Sequence, residues 1–217
     1  MDIRVGVDEA GKGPVFGPMV VAAVRAPVEA IPEGVADSKA LAAGRRAELA
    51  DRLRADDRVS AGLALITPTE IDAPDTDMNG LTVAGHVRAL SQVVAEGDPA
   101  VSDAGDVDAD RFCDRVDKGL TQRGQTVSLV AEHGADAEYP IVGAASILAK
   151  VRRDGEIASL ATDHGEIGSG YPSDPTTREF LRQYVARHGD VPPFARRSWS
   201  TCDDVLAAAE QSELAEF

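Results

Sequence analysis

The sequence predicts a mixed α/β protein, a sheet flanked by helices with a small helical addition at the C-terminal end. Three observations predict this class. Apolar residues alternate at period two near the N-terminus, strand and helix periodicities interchange through the middle of the chain, and beyond residue 168 only helical spacing remains. The boundary at 168 divides the chain into a main domain, 1–167, and a C-terminal helical subdomain, 168–217.

Ile3, Val5 and Val7 alternate with Arg4, Gly6 and Asp8, the pattern of a half-buried strand. Val15 to Val24 reads as a second, more continuously apolar strand, and Val59 to Ile66 as a third. Between these two, Asp37-Ser38-Lys39 leads into a helix with apolar points at Leu41, Leu49 and Leu53. Val83, Val87, Leu90 and Val94 follow helical spacing. A short strand through Ala100 and Val101 ends at Asp103, and another runs through Val127, Leu129 and Ala131. A helix with Ile147, Leu148 and Val151 on one side follows Pro140. Gly168-Ser169-Gly170-Tyr171-Pro172 forms a turn-rich hinge. Asp174 then caps a helix with Pro175 at its first position, and Phe180, Leu181, Tyr184 and Val185 are its apolar side. Ser200-Thr201-Cys202-Asp203 reads as a cap before a final short helix through Leu206.

Composition bounds the function. With 217 residues, 43% of them hydrophobic, the chain can bury one full core. It has no apolar run long enough to span a membrane, and its N-terminus, Met1-Asp2-Ile3-Arg4-Val5, lacks a signal-peptide pattern. Cys113 and Cys202 are far apart and form no metal-type spacing. The expectation is a cytoplasmic monomer without a disulfide framework. Net charge is −15, and only four of the 22 basic residues are lysine, so a strongly acidic, arginine-weighted surface is expected. Such dispersed self-repulsion suits a salt-rich cytoplasm, where the Debye length falls to roughly 3 Å at 1 M salt. An ordinary acidic enzyme is the plainer reading of the same numbers.

The chemistry is concentrated in Asp8-Glu9-Ala10-Gly11-Lys12-Gly13-Pro14. Adjacent carboxylates at the end of a core strand repel each other and are costly to desolvate. A divalent cation reverses that balance, because carboxylate oxygens are preferred ligands of Mg²⁺ and Mn²⁺. Adjacent strand residues face opposite ways, so both acids reach one metal only if the backbone turns here, which Gly11 permits. The turn can also bring backbone N–H groups close to a ligand. Asp103 ends a short strand and Asp136 follows another, where an α/β sheet assembles a site. Taken alone, Asp136 reads as a loop carboxylate or helix cap. Asp106 and Glu132 are competing ligands that spacing does not exclude. A nucleotide-binding phosphate loop is a rival reading of Gly6 to Gly13, but it needs Ser or Thr after the lysine, and Gly13 cannot fill that role.

Other candidates carry weaker signals. Ser38-Lys39 at a helix start suits phosphate, or a simple cap with a surface lysine. Ser146 and Lys150 share a helix face, which suits phosphate or nothing special. Tyr171 can stack on a base or sugar, although a lone tyrosine in a turn is more often packing. The four histidines lack ligand spacing and read as structural or surface residues. Trp199 reads as an anchor for the C-terminal segment.

Together these segments resemble ribonuclease HII of the archaeal type, across essentially the whole chain. Asp8 to Pro14 is similar to the opening signature of that family, in which arginine is also common at the Lys12 position. Asp37-Ser38-Lys39 with Leu41, and Asp103 after its strand, resemble the second and third motifs. Ala135-Asp136 with the block from Ala144 through Lys150 to Asp154 resembles the fourth. Gly168 to Thr176 and Arg197 with Trp199 resemble the C-terminal signatures. The resemblance implies a ribonuclease H-like fold with catalytic, metal-binding acids Asp8, Glu9, Asp103 and Asp136, and two Mg²⁺ or Mn²⁺ ions per site. It implies substrate contacts at Gly11, Lys12, Gly13, Ser38, Lys39, Ser146 and Lys150, with Tyr171 at the ribose–deoxyribose junction. The implied activity is endonucleolytic cleavage of RNA in RNA–DNA hybrids and incision 5′ of ribonucleotides embedded in duplex DNA, leaving 3′-hydroxyl and 5′-phosphate ends. The alternative function is a non-catalytic nucleic-acid or nucleotide-binding protein that uses the Gly11-Lys12-Gly13 turn. The four acids discriminate, since a binder of polyanions has no use for them without a metal.

Overall fold

The computed structural model describes residues 2–36 and 41–215, with side chains through 211. Two compact units are present. The first comprises residues up to Ala10, Met19–Leu65 and Asp77–Arg152, and the second comprises Gly11–Pro18, Ile66–Thr76 and the chain from Arg153 onward. The second unit therefore takes in more than the segment 168–217 marked out by its helical spacing.

The first unit is built on a five-stranded sheet. Its strands are β1 (Ile3–Ala10), β2 (Met19–Pro27), β3 (Ser60–Ile66), β4 (Pro99–Asp103) and β5 (Ser128–Glu132), in the order β3-β2-β1-β4-β5. β1 pairs antiparallel with β2 and parallel with β4, and β4 pairs parallel with β5. Val7 lies opposite Ser102, so Asp8 and Asp103 follow at one level, at the C-terminal ends of neighbouring parallel strands. This mixed sheet, flanked by helices, is the predicted class.

Alternation along β1 serves two cores. Val5 and Val7 face a core that includes Leu90, Phe112, Val116 and Leu120. The opposite core holds Leu49, Leu53, Ile147 and Leu148. Each fully buried aliphatic side chain of this kind contributes about 1.5–3 kcal/mol. The helices of this unit are α1 (Ala43–Ala55), α3 (Met78–Leu90), α4 (Ala109–Thr121), the one-turn α5 (Ala135–Glu138) and the first half of α6 (Pro140–His164), while α2 (Pro68–Ile71) belongs to the second unit. A Cβ on Gly6 would fall 2.5 Å from the Ile141 backbone, so the bare strand at Gly6 lets the start of α6 lie directly against β1.

The second unit holds the rest of α6, α7 (Pro175–His188) and α8 (Ser200–Ala215). Phe16 packs edge-on against Phe180 and Phe194, with centroids 5.7 and 5.3 Å away. Asp174 caps α7 by accepting from Thr176 N–H, with Pro175 at the first position as expected.

Several elements depart from expectation. The second strand starts at Met19 rather than Val15. Pro14 and Pro18 cannot donate to a ladder, and Gly17 is left-handed at φ 77°, so Val15 and Phe16 form part of a turn that meets Ala195 instead. Helix α3 ends at Leu90, before Val94, and Leu41 precedes α1. The final helix runs 16 residues, with Ser200 inside it rather than capping it. Helices α2 and α4 were not anticipated. Among the described residues, no helix is long and apolar enough to cross a membrane, and Cys113 and Cys202 are free.

Candidate active site

The first unit gathers acids at the end of β1. Asp8 is 4% exposed. Burial pushes its carboxyl well above the usual carboxylate range, and the charges of Glu9 and then Asp103 push in the same direction. Opposing them, the Ser146 hydroxyl and the Glu9 N–H both hydrogen-bond to Asp8, the latter to Oδ1 at 2.7 Å. Ser146 is fully buried on α6 and accepts from Lys150 Nζ at 2.7 Å. The helical i, i+4 spacing that suggested a phosphate site thus links Lys150 through Ser146 to Asp8.

Strand β1 continues through Ala10, so the backbone does not turn between the two acids. Asp8 meets Ser146, whereas Glu9 faces α3, with Oε2 placed 3.2 Å from Nε2 of the buried His86. Asp103 accepts the Ala135 N–H on Oδ1 at 3.0 Å. That contact ties the first turn of α5 to the end of β4. Asp136, the next residue, is 2% exposed within α5 rather than in a loop.

Both competing acids have partners of their own. Asp106 accepts from Arg111 at 2.6 Å, and this hydrogen bond holds its carboxyl below the usual range. Glu132 accepts from the Tyr139 hydroxyl at 2.9 Å. Among the described residues, no three His, Cys, Asp or Glu side chains share a common ligating point. Like charges do not close on one point unaided. The donor set is nonetheless the hard, all-oxygen kind that suits Mg²⁺ or Mn²⁺, and the repulsion on Asp8 is what such a cation would relieve.

In the second unit, Arg196 shapes the turn that contains Gly11, Lys12 and Gly13. Its guanidinium is fully buried and donates to the carbonyls of Gly11 at 2.6 Å, Lys12 at 2.8 Å and Gly17 at 3.0 Å. Burial lowers its pKa to about 10. Trp199 lies against it at 5.1 Å and donates from Nε1 to the Gly13 carbonyl at 3.3 Å, so its anchoring role extends to this turn. Gly11 adopts φ 83°, and a Cβ there would sit 3.1 Å from both Arg153 Cγ and the Pro18 carbonyl oxygen. The Arg153 guanidinium packs 4.9 Å from the ring centroid of Tyr171, a residue that is 39% exposed, and also donates to the Ser169 carbonyl. Lys12 is half-buried and Gly13 exposed. Ser38 and Lys39, with Asp37, lie outside the described residues.

Two residues here have no specific signal in the sequence. His86 reads with the other histidines as structural or surface and is buried, and its contact with Glu9 spans too much chain for any local signal. Arg196 sits beside the arginine of the C-terminal signature, and the run Arg196-Arg197 does not reveal which guanidinium turns inward.

The family model described as Ribonuclease HII matches residues 5–202. A curated relative of that name from Haloarcula marismortui is 55% identical over 215 residues, covering 99% of this chain and 100% of the relative. The crystal structure of ribonuclease H2 from Pyrococcus horikoshii OT3 superposes with a TM-score of 0.86 at 41% identity, covering 96% of this chain and 99% of that one. Ribonuclease HII in the PCNA complex from Archaeoglobus fulgidus superposes with a TM-score of 0.80 at 36% identity, covering 93% and 96%.

Proposed function

The chain belongs to the ribonuclease HII family, and from that premise we propose that it incises duplex DNA 5′ of an embedded ribonucleotide and cuts RNA in RNA–DNA hybrids, leaving 3′-hydroxyl and 5′-phosphate ends. The coarser statement stands on membership alone: it is a ribonuclease H endonuclease, of the archaeal type found in halophiles. The observation that carries the proposal is the level pairing of Asp8 and Asp103 on adjacent parallel strands, with Asp8 buried and its ionisation opposed by Glu9 and Asp103.

Asp8, Glu9, Asp103 and Asp136 would hold two divalent cations, Mg²⁺ or Mn²⁺. Bound there, the cations supply activation of a water and charge neutralisation at the leaving 3′-oxygen. The remaining roles belong to the chain itself. Ser146 and Lys150 hold Asp8 from behind. Arg196 fixes the carbonyls of Gly11 and Lys12, so the small-residue turn meets a ribose with little reorganisation and can read its 2′-hydroxyl. Tyr171, backed by Arg153, offers its exposed ring to the sugar at the junction. Ser38 and Lys39 would contact phosphate. The Archaeoglobus relative's complex with PCNA supports a sliding clamp as a protein partner.

A binding module without catalysis is the second reading, and the neighbouring acids Asp8, Glu9 and Asp103 oppose it, since they repel a polyanion unless a cation intervenes. The test is a duplex carrying one ribonucleotide, incubated with Mn²⁺, Mg²⁺ or chelator, with the cut mapped. The expected product is a single metal-dependent nick 5′ of the ribonucleotide, with an all-DNA control left intact. Equal cutting of the all-DNA duplex, or binding with no cut in any metal, would overturn the proposal.

A further inference from the structure

We infer that His86 is a positioning residue for Glu9: its imidazole fixes the orientation of the carboxylate that serves as a metal ligand. The inference rests on the reading of Glu9 as a ligand and adds a residue that the sequence motifs do not contain.

His86 lies on α3 and is fully buried. An imidazole in that setting needs a polar partner to offset its desolvation. Its Nε2 lies 3.2 Å from Glu9 Oε2. The ring stands edge-on to Phe112 with centroids 5.0 Å apart and planes at 85°, so packing restrains its swing. A Cβ added at Gly105 would clash with the Thr82 methyl at 2.5 Å and lie 3.3 Å from Glu9 Oε1, so the chain is bare where it passes the Glu9 head.

Glutamate has three rotatable bonds before its carboxylate, and a free one loses rotamer entropy when it binds a cation. An imidazole nitrogen 3.2 Å from one carboxylate oxygen, on a ring whose swing packing restrains, lessens that loss in advance. Partners of this kind around ligating carboxylates set the affinity of the site. The arrangement needs only an Nε2–H, which the neutral tautomer and the imidazolium both supply. A packing histidine makes a different forecast, since replacing it would lower stability and leave metal affinity alone.

Two variants separate these roles. His86→Phe keeps a ring against Phe112 and removes the donor, whereas His86→Gln keeps a side-chain N–H and removes the ring. The experiment is a calorimetric titration of substrate-free protein with Mn²⁺, for wild type, both variants and Glu9→Gln, alongside melting curves. His86→Phe should bind Mn²⁺ roughly tenfold or more weakly, in the range seen for lost outer partners of metal ligands, and His86→Gln should recover most of the affinity. Cleavage by His86→Phe should need more Mn²⁺ yet approach wild-type turnover at saturation. If His86→Phe does not fold, His86→Met removes the donor with a more adaptable side chain. Wild-type Mn²⁺ affinity in a folded donor-less variant, or better binding by His86→Phe than by His86→Gln, would overturn the role of His86 alone. If Glu9→Gln binds Mn²⁺ as wild type does, the reading of Glu9 as a ligand fails and the His86 proposal falls with it.

Discussion

The two units differ in how they satisfy a buried charge. In the first, Asp8 is buried beside further negative charge, and its ionised form is disfavoured. In the second, the buried Arg196 guanidinium meets three backbone carbonyls and the face of Trp199. Burial disfavours both charges, and Arg153 adds like charge near Arg196 as Glu9 and Asp103 do near Asp8; the difference lies in hydrogen bonding, since every guanidinium nitrogen of Arg196 donates to a carbonyl. Complete satisfaction is what a fold uses to hold a turn, whereas incomplete satisfaction is a cost that a ligand can remove. The contrast separates the residues proposed for chemistry from those that hold a shape.

Substitutions that equalise the two regions should break the contrast. The largest effect is expected from Asp8→Asn, which removes a ligand charge. Turnover should fall at least about a thousandfold, well beyond the loss expected for a single positioning contact, while circular dichroism shows an intact fold. A variant that cleaves at near wild-type rate in Mg²⁺ would place the chemistry elsewhere. Arg196→Leu should act on the fold. It leaves buried carbonyls without a donor, at roughly 1–3 kcal/mol for each group left unsatisfied, and denaturant melts should show the loss. Arg196→Lys keeps the charge but not the planar fork of donors, so it should recover only part of the stability.

A smaller effect is expected from salt. With a net charge of −15, the folded chain repels itself, and screening relieves that repulsion. The melting temperature should rise from dilute buffer to molar KCl, and a fold most stable in dilute buffer would deny a halophilic role to the acidic surface. The smallest effect belongs to Asp174. Hydrogen bonds from Ser169, Thr176 and Thr177 lower its carboxyl to about 2. Its contribution is present above the ordinary carboxylate range and is lost as pH falls toward 2. Asp174→Asn, which still caps a helix but has one acceptor oxygen where the carboxylate uses two, should lower the melting temperature slightly at neutral pH and converge with wild type in acid, which flattens its acid limb. An unchanged acid limb would contradict this.

The legible parts were those with local signals. Period-two alternation marked β1, and Asp174-Pro175 marked the start of α7. Helix α4 was not assigned from sequence although Phe112, Val116 and Leu120 recur every four residues, because Asp108, Asp110, Asp114 and Asp117 dilute the apolar signal around them. Val15 and Phe16 looked like strand because they are apolar, yet flanking prolines and a left-handed glycine decide the backbone there. The contact of the competing acid Asp106 with Arg111 becomes visible only in the fold. His86 and Arg196 act on residues distant in sequence, so only the fold connects them to Glu9 and to the Gly11 turn.

The central claim is that the acids at the end of β1 are a charge surplus matched to a divalent cation. Thermal melts of wild type and Asp8→Asn, each with chelator and with Mn²⁺ at fixed KCl, test it most directly. A carboxyl whose pKa is raised by the fold destabilises it when ionised, and that cost is relieved as pH falls through the raised pKa. At neutral pH with chelator, Asp8→Asn should therefore melt above wild type. Mn²⁺ should raise the wild-type melting temperature with concentration, as a ligand of the native state does, and should have little effect on the variant. A wild type indifferent to Mn²⁺ that also melts above Asp8→Asn in chelator would contradict the account.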